Sequence, residues 1–582
     1  MPIFSCFTVF AVATALPWTP PSPVERAESA PFLAEQEARF NPAEAMIRRP
    51  FSTPGYHTEL TGGFVHPTRG SLLYALMLLD TGEPDHLARA LSILDRVVAL
   101  QDTDPSSRTF GIWSWYLEEP LARMAKPDFN WADFNGVTLL QVARDHRSRI
   151  PTDLMRRIEQ AILNACAAIQ KRDVKPGYTN IALMGSYVTL YAGELLDHEG
   201  YRAYGMSRLR RVAAEVANNG GFEEYNSPTY TLVALEELAR MQAHVTSPEA
   251  QTLIAPLLRQ AWEDIATHFH APTRQWAGPY SRVYSSLLRP AALGTIQRSL
   301  SGVDFGIAIN PLDSRRLPLR CPDDLQPHFL ELPTPRTVTQ QFVRRSETIG
   351  TTYLHPEYAL GSINRGDLWN QRRALLLHWG TPERPGYLQL RLLKDGYDFA
   401  SGYLESAQIA GRVLGAVTLV TDGGDTHISL NRVRDGTITT SDLRLRFELG
   451  GPGAQTAIVA LHPNGHQARL TLGKVQATLV LAYARFAHAS PKLEVGEGPD
   501  LRWIDLVLHA GSQQTIDLRS LEEAVVGFAL AIGEETAPKG VRAAGLLQLT
   551  DSDLSVSVPI RPQPRRFDES VHTPLQTVTS TR

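Results

Sequence analysis

The sequence predicts a multidomain α+β protein, with a helical region up to about residue 330 followed by a region of antiparallel strands. Two observations support this prediction. Apolar residues recur at helical spacing before residue 330, whereas after residue 351 they alternate with polar residues in short runs separated by turns. The length of 582 residues, with 43% apolar and 20% charged residues, is typical of a large globular protein with more than one core.

The first region contains eight candidate helices joined by short connections, at residues 68–81, 85–101, 133–147, 152–172, 179–197, 201–218, 229–245 and 247–270. In the fourth of these, Ile158, Ile162, Cys166 and Ile169 lie on one apolar stripe. Short connections make successive helices antiparallel neighbours, so burial of eight stripes requires a closed bundle, a solenoid or an α/α toroid. The sequence has no repeat of fixed length, which argues against an ordinary solenoid.

The second region contains runs typical of strands, at residues 374–379, 386–393, 416–420, 443–449, 457–461 and 477–482, with similar spacing up to about Ile560. We expect an antiparallel sandwich or stacked-sheet domain of ten or more strands. Residues 310–345 are rich in proline and arginine and are interpreted as a linker.

Composition and motifs exclude several classes of protein. The formal net charge of −4 argues against a dedicated nucleic-acid-binding protein. Walker, Rossmann, zinc-protease and nucleophile-elbow motifs are absent from the sequence. The segment Asp422–Asp425 is interpreted as a hairpin turn, with calcium binding as the alternative. We expect no required cofactor, and a structural calcium ion stays open.

Three cysteines are too few for a disulfide scaffold. Cys166 lies in an apolar helical run, so we expect a buried free thiol there. A bridge between Cys166 and Cys321 is the alternative.

The N-terminus resembles a secretory signal. Residues 3–16 form an uncharged apolar stretch with a small-x-small sequence at Ala13–Ala15, followed by the proline-rich segment Pro17–Pro23. This stretch is too short to span a membrane, and no other segment is a membrane candidate. We therefore expect a secreted or cell-envelope protein, periplasmic if bacterial.

The predicted domain boundaries follow from these patterns. Residues 1–30 are the signal and proline-rich segment, residues 31–330 form the helical catalytic domain, and residues 331–565 form the β-domain. Residues 566–582 are polar and are expected to form a loose tail.

Two polar and aromatic clusters lie in the first half of the helical region. Phe110–Tyr116 and Asp128–Asn135 concentrate aromatic side chains between helices, which suits stacking on sugar rings, with core packing as the alternative. Pro176–Tyr187 places Asn180 in the first turn of a helix, where a capping role is the alternative.

Two further clusters follow along the chain. In Gly220–Tyr230 a glycine-rich turn leads into a polar loop and then a helix with Pro228 in its first turn. Asn226 and Tyr230 are four residues apart and can share one edge of a cleft. Gly278–Tyr284 is a loop that carries tyrosine, serine and Arg282 together, with a structural salt bridge as the alternative role of the arginine.

The clusters carry Asn180, then Asn226 with Tyr230, then Arg282, on loops of a helical domain that is followed by a β-domain. In this order of residues the chain resembles the uronate polysaccharide lyases. These include the hyaluronate and chondroitin AC lyases and, more loosely, the heparinase II/III-like enzymes. Gly221 and Phe222 with Tyr230 are similar to the hyaluronate-lyase stretch in which Gly-Ser-Phe precedes a His and then a Tyr. Asn226 stands where that His is expected, which is a departure from the family pattern.

A second stretch carries the resemblance into the β-domain. Trp369–Arg373, after Gly361–Asn364, looks like the opening strands of a lyase β-domain. The resemblance in architecture covers residues 60–560. The resemblance in sequence is limited to short motifs. It implies an N-terminal (α/α) toroid followed by a C-terminal antiparallel β-sandwich.

The chemistry of such lyases explains why these residue types matter. β-Elimination removes the proton beside the uronate carboxyl group and expels the glycosidic oxygen. Asparagine and arginine stabilise the charge that develops on the carboxyl group without competing for the proton. A tyrosine can act as base and acid, and a nearby arginine favours its phenolate. The resemblance and this chemistry together predict Tyr230 as base and acid and Asn180 and Asn226 as donors to the carboxyl group. Arg282 is expected to assist either the tyrosine or the carboxylate.

The expected partner is an acidic polysaccharide or oligosaccharide, without nucleic acid. The predicted substrate-binding residues are Tyr280, Trp113, Trp115, Asn135, Glu224 and His355. A glycoside hydrolase on the same toroid is the main alternative, and it needs two carboxyl groups about 6.5–9.5 Å apart if it inverts. The carboxyl groups available to it are Glu118, Glu119, Asp133, Glu223 and Glu224. A non-catalytic carbohydrate-binding protein is a third interpretation.

Overall fold

The computed structural model of the protein describes residues 18–51, 57–124, 126–422, 433 and 435–564. The predicted signal at residues 3–16, the tail at 566–582 and most of the Asp422–Asp425 turn lie outside these residues. The chain divides into two compact units. The helical unit comprises Met1–Glu215, Val233–Gln260 and Gln297–Arg320, and the β unit comprises Val216–Leu232, Ala261–Ile296 and Cys321–Arg582.

Within the described residues, the chain forms twelve α-helices: α1 (Pro23–Glu37), α2 (Thr68–Asp80), α3 (Pro84–Val98), α4 (Asn130–Asp145), α5 (Thr152–Arg172), α6 (Thr179–Leu195), α7 (Glu199–Asn219), α8 (Tyr230–His244), α9 (Pro248–His268), α10 (Pro290–Gln297), α11 (Pro311–Arg316) and α12 (Pro327–Leu330). The eight helices expected from periodicity are confirmed as α2 to α9. Their ends differ from the expected ones by at most three residues, which is the usual uncertainty of helix ends.

Helices of the helical unit pack in two layers. Helix α2 packs against α3 and α4, and α4 packs against α5 and α6. Side chains of α2, α4 and α6 are buried around most of the helix, whereas α3 and α5 bury a single stripe. Close approach of α6 and α7 requires Gly193 and Gly205, because a Cβ atom there would overlap backbone atoms of Arg202 and Leu190. The two layers of helical hairpins agree with the α/α arrangement expected for this region.

Six strands of two residues each form three small hairpins: β1 (Phe40–Asn41) with β2 (Met46–Ile47), β3 (Arg49–Pro50) with β4 (Phe64–Val65), and β5 (Phe269–His270) with β6 (Gln275–Trp276). The remaining described strands lie in the β unit: β7 (Arg336–Val343), β8 (Thr348–His355), β9 (Tyr358–Asn364), β10 (Leu375–Gly380), β11 (Pro385–Lys394), β12 (Tyr397–Asp398), β13 (Gly402–Ile409), β14 (Arg412–Leu419), β15 (Thr437–Gly450), β16 (Ile458–Leu461), β17 (Gln467–Leu472), β18 (Val475–Phe486), β19 (Leu493–Glu497), β20 (Arg502–Asp517), β21 (Ala524–Ile532), β22 (Lys539–Ala543), β23 (Leu546–Asp551) and β24 (Leu554–Pro559).

These strands form three antiparallel sheets. The nine-stranded sheet has the order β19-β20-β15-β11-β10-β9-β8-β7, with β12 paired to β11. The six-stranded sheet has the order β13-β14-β21-β18-β17-β16, and the third sheet has the order β22-β23-β24.

The sheets are stacked around two apolar cores. The larger core joins the nine- and six-stranded sheets, and the rings of Phe447 and Phe528 meet edge to face across it with centroids 5.1 Å apart. The smaller core lies between the six- and three-stranded sheets around Leu549. Burial of each such leucine contributes about 1.5–3 kcal/mol to folding. The expected stacked antiparallel β-region is confirmed.

The interpretation of residues 310–345 as a linker is wrong, because α11, α12 and β7 lie within them. Residues 336–343 form β7, the edge strand of the nine-stranded sheet, which pairs on one side only. Side chains along β7 alternate in exposure, and the exposed positions include Thr337 and Thr339. A half-exposed edge strand rich in polar residues lacks the apolar signal by which the other strands were recognised.

The cysteine prediction is confirmed for Cys166, which is a buried free thiol, so the alternative bridge to Cys321 is not formed. A search of the described helices finds none that is long and apolar enough to cross a membrane.

Candidate functional site

Two loops of the β unit meet where α8 begins. A φ angle of +85° at Gly220 allows the chain to turn out of α7. The Ser227 hydroxyl then accepts a hydrogen bond from the backbone N–H of Tyr230 at 3.0 Å and donates one to the carbonyl of Arg282. A side-chain oxygen at this position is a typical cap for the first turn of a helix. One serine therefore fixes Tyr230 and links it to the segment that carries Arg282.

The guanidinium of Arg282 is held from three sides. It donates to Glu224 Oε1 at 2.8 Å, to Gln371 Oε1 at 3.2 Å and to the Tyr230 hydroxyl at 3.2 Å. The rings of Tyr230 and Trp369 lie 4.5 and 4.3 Å from its central carbon. Such a cation between two aromatic faces is stabilised by both rings. Arg282 thus forms the ion pair considered as its structural role and also contacts Tyr230.

Tyr230 is largely buried, and this burial raises its pKa. The positive charge of Arg282 lowers the pKa, while Tyr284 and Glu224 raise it further. The sequence predicted that a nearby arginine would favour the phenolate. The arginine is present, but loss of solvation outweighs it, so Tyr230 is a neutral hydroxyl at neutral pH.

Asn226 is fully buried and has a φ angle of +41°, a conformation that asparagine tolerates better than most residues. Its amide nitrogen donates to the carbonyls of Ala277 and Pro279 at 2.9 and 2.7 Å, and its oxygen accepts from the indole of Trp276. These contacts hold the segment that leads to Arg282. A direct role for Asn226 in binding a carboxyl group stays a prediction.

The other candidates in the β unit have different surroundings. Tyr280 is buried, its hydroxyl donates to the Trp276 carbonyl, and burial raises its pKa. Glu224 is 5% exposed and pairs with Arg282. The His355 ring stacks on Tyr358 with centroids 4.7 Å apart. Of these three, the described contacts bring only Glu224 into the group around Tyr230.

The aromatic cluster of the helical unit is divided between core and surface. Trp113 is fully buried and donates to the Val97 carbonyl at 2.9 Å, so neither face of its ring is open to a sugar. Trp115 is half-buried, donates to Asp128 Oδ2 at 3.2 Å and lies 5.1 Å from the ring of Trp131.

Both asparagines of the helical unit are buried. Asn180 is the second residue of α6 and is 2% exposed. Asn135, in α4, is fully buried, and neither atom of its amide group has a hydrogen-bond partner among the described residues. An unpaired amide of this kind costs about 1–3 kcal/mol, which is unusual enough to keep Asn135 a binding candidate.

Four of the five carboxyl groups considered for a hydrolase have partners within the protein, and Glu224 is one of them. Glu118 pairs with His66, Glu119 accepts from the backbone of Glu59, and Glu223 pairs with Arg345. Asp133 is buried in α4, and burial raises its pKa to about 7.

Three residues of the site were missed by the sequence prediction. Gln371 and Trp369 approach Arg282 from the stretch Trp369–Arg373, about ninety positions further along the chain. That stretch supported the resemblance, but no local spacing relates it to Arg282. The third, Tyr284, lies two residues beyond Arg282 in the fourth cluster, and its hydroxyl is 2.7 Å from that of Tyr230. Its proximity to Arg282 in the sequence was the available signal.

No group of three His, Cys, Asp or Glu side chains in the described part of the chain could hold a metal ion. The expectation that no cofactor is required stays a prediction.

Comparison with known proteins gives a family model and several solved structures. A model described as a domain of unknown function, DUF8769, matches residues 52–295. A search of curated proteins gave no match.

Among solved structures, the chain is similar to heparinase III, with 8% identity and a TM-score of 0.49 over 95% of this chain and 93% of that one. It is also similar to heparan sulfate lyase HepC from Pedobacter heparinus, with 10% identity and a TM-score of 0.34 over 93% and 90% of the two chains. A variant of chondroitin AC lyase from Streptomyces coelicolor A3 has 12% identity and a TM-score of 0.39 over 94% and 90%.

Proposed function

We propose that the protein is a polysaccharide lyase that cleaves a uronate-containing glycan by β-elimination, with Tyr230 as base and acid. The observation that carries this proposal is the fixed guanidinium of Arg282, which is 13% exposed and lies 3.2 Å from the hydroxyl of Tyr230. A tyrosine and an arginine in this contact are the parts that elimination beside a carboxylate requires, and they are not the carboxyl pair of a hydrolase.

In the proposed reaction, the phenolate of Tyr230 takes the proton from the carbon beside the carboxyl group. The electrons of that C–H bond form the new C=C bond, and the C–O bond to the leaving sugar breaks. Tyr230 then returns the proton to the departing oxygen. Arg282 carries positive charge next to the phenolate, and because Glu224 and Gln371 already hold it, little reorganisation is needed during the reaction.

The remaining residues receive supporting roles in this proposal. Asn226 positions the segment before Arg282, since its side chain is committed to backbone groups and to Trp276. Asn180 and Asn135 are proposed as amide donors to the substrate, and Trp115 as a platform for a sugar ring. We also propose that the protein is secreted or lies in the cell envelope and that its substrate is an acidic polysaccharide.

Ultraviolet absorbance over a panel of uronate polysaccharides tests the proposal. Elimination leaves a double bond conjugated to the carboxyl group, which absorbs, whereas hydrolysis leaves none. The panel should include heparan sulfate and chondroitin, which the names of the similar structures mention, and polymers without sulfate. Rising absorbance supports the lyase. New reducing ends without absorbance would instead favour the hydrolase.

A further inference from the structure

A second tyrosine, Tyr284, forms a hydrogen bond with the hydroxyl of Tyr230. The two oxygens, Tyr230 Oη and Tyr284 Oη, are 2.7 Å apart, which is the usual length of an O–H···O hydrogen bond. The two residues differ in environment, because Tyr284 is 50% exposed whereas Tyr230 is mostly buried. Tyr284 therefore links the largely buried Tyr230 to a more exposed hydroxyl.

The hydrogen bonds around Tyr230 determine where its proton can go. A phenol has one proton and two lone pairs. Arg282 donates to the Tyr230 oxygen and occupies one lone pair. The contact with Tyr284 then contains one proton, which belongs to either oxygen. When Tyr230 holds it, the proton of Tyr284 is left to point towards solvent.

We propose that Tyr230 and Tyr284 act as one coupled base, in which Tyr284 is the point where the proton leaves to solvent. The Tyr284 O–H bond breaks and its proton passes to a water molecule or a buffer base. The proton of Tyr230 then moves across the 2.7 Å contact, so that a new Tyr284 O–H bond forms and the charge lies on Tyr230. The inference rests on the proposed lyase function, and within it Tyr284 is a positioning residue that acts through Tyr230.

Burial of Tyr230 is the reason that a partner is needed. A buried hydroxyl without a second donor would hold its proton, because burial penalises the charged form. Once the proton has moved, the phenolate accepts hydrogen bonds from both Arg282 and Tyr284, and bonds to a charged oxygen are the strong ones.

The segment that carries Tyr284 is held by hydrogen bonds on both sides of that residue. The Val283 N–H donates to the Gln371 carbonyl at 3.0 Å, and the Ser286 hydroxyl donates to Gln389 Oε1 at 2.9 Å. These contacts set the position of the Tyr284 ring.

Three charged groups face the pair. Arg282 and Glu224 lie on the side of Tyr230, and the exposed Arg289 lies over the ring of Tyr284 at 5.9 Å.

The test is the pH profile of kcat/KM for the Tyr284→Phe variant on a polymer that the wild-type protein eliminates. Removal of one hydrogen bond to a charged group lowers kcat/KM at neutral pH by about tenfold or more. The phenolate of Tyr230 is the active form, and loss of its donor raises its pKa. The acidic limb of the profile should therefore move to higher pH by about one unit. Tyr397→Phe, at a tyrosine that is 75% exposed on β12, is the matched control and should behave as wild type.

The outcomes separate this inference from the proposed function. If Tyr230→Phe is inactive but Tyr284→Phe keeps the wild-type kcat/KM and pH limb, the coupling is overturned and the lyase proposal stands. A higher KM with unchanged kcat and pH limb also overturns it, because Tyr284 would then contact substrate. If the wild-type protein forms no unsaturated product on any polymer, the proposed function fails and the coupled base fails with it. Melting temperatures of the variants show that each is folded.

Discussion

The aromatic cluster of the helical unit and the tyrosine–arginine cluster of the β unit had similar signals in the sequence, but their structures differ. In the helical unit, Trp113 belongs to the core and Trp115 is partly covered by Trp131. In the β unit, Tyr230 and its partners converge on one guanidinium, that of Arg282. Packing alone explains aromatic side chains at a helix junction. It does not explain why several polar groups gather around a largely buried charge.

The sharpest test of this difference is Tyr230→Phe, which removes one hydroxyl and keeps the ring. We expect turnover to fall by about 10³-fold, within the range for loss of a general acid–base. The product absorbance assay measures this, and circular dichroism with substrate-binding measurements should show little change. A variant that retains wild-type turnover would show that the cluster in the β unit is structural, like Trp113.

Arg282→Lys tests whether the geometry of the guanidinium matters beyond its charge. A single ammonium cannot keep the contacts to Glu224, Gln371 and Tyr230 together, so we expect turnover to fall by about 100-fold.

The matched control is Arg469→Lys, because Arg469 is 69% exposed and pairs with the exposed Glu535. Full activity in the Arg282→Lys variant would show that only the positive charge at this position is needed, not the shape of the guanidinium.

Asn226→Ala and Asn226→Gly separate the side chain of Asn226 from its backbone. Both variants lose the hydrogen bonds to Ala277, Pro279 and Trp276, and we expect each to lower the free energy of unfolding by about 3 kcal/mol. Because φ is +41° at this position, alanine should cost about 1 kcal/mol more than glycine. Chemical denaturation measures both differences. Equal stability of the two variants would mean that the loop relaxes to a different backbone conformation.

The sequence predicted local structure well because helices and strands repeat at fixed spacing. The ends of α5 agree with the expected residues, whereas β7 was taken for a linker because one of its faces is polar and exposed. The site is harder to predict, since Gln371 joins it from a distant segment. The pKa of Tyr230 is raised because the side chain is largely buried. No pattern in the sequence predicts that burial. The roles assigned to the site residues stay predictions until variants are measured.

The smallest effect concerns Asp133, a buried carboxyl group of the helical unit that contrasts with the paired Glu224. Oδ1 of Asp133 accepts no hydrogen bond among the described residues, and burial raises the pKa of Asp133 to about 7. The ordinary pKa of 3.8 applies in the unfolded chain. Between these two values the folded protein holds a proton that the unfolded chain has released, so stability falls as the pH rises towards 7. The free energy of unfolding should fall by about 1 kcal/mol per pH unit in this range. Asp133→Asn should remove this slope, while Asp95→Asn, at an exposed aspartate, should keep it. An unchanged slope in Asp133→Asn would assign the pH dependence to another group.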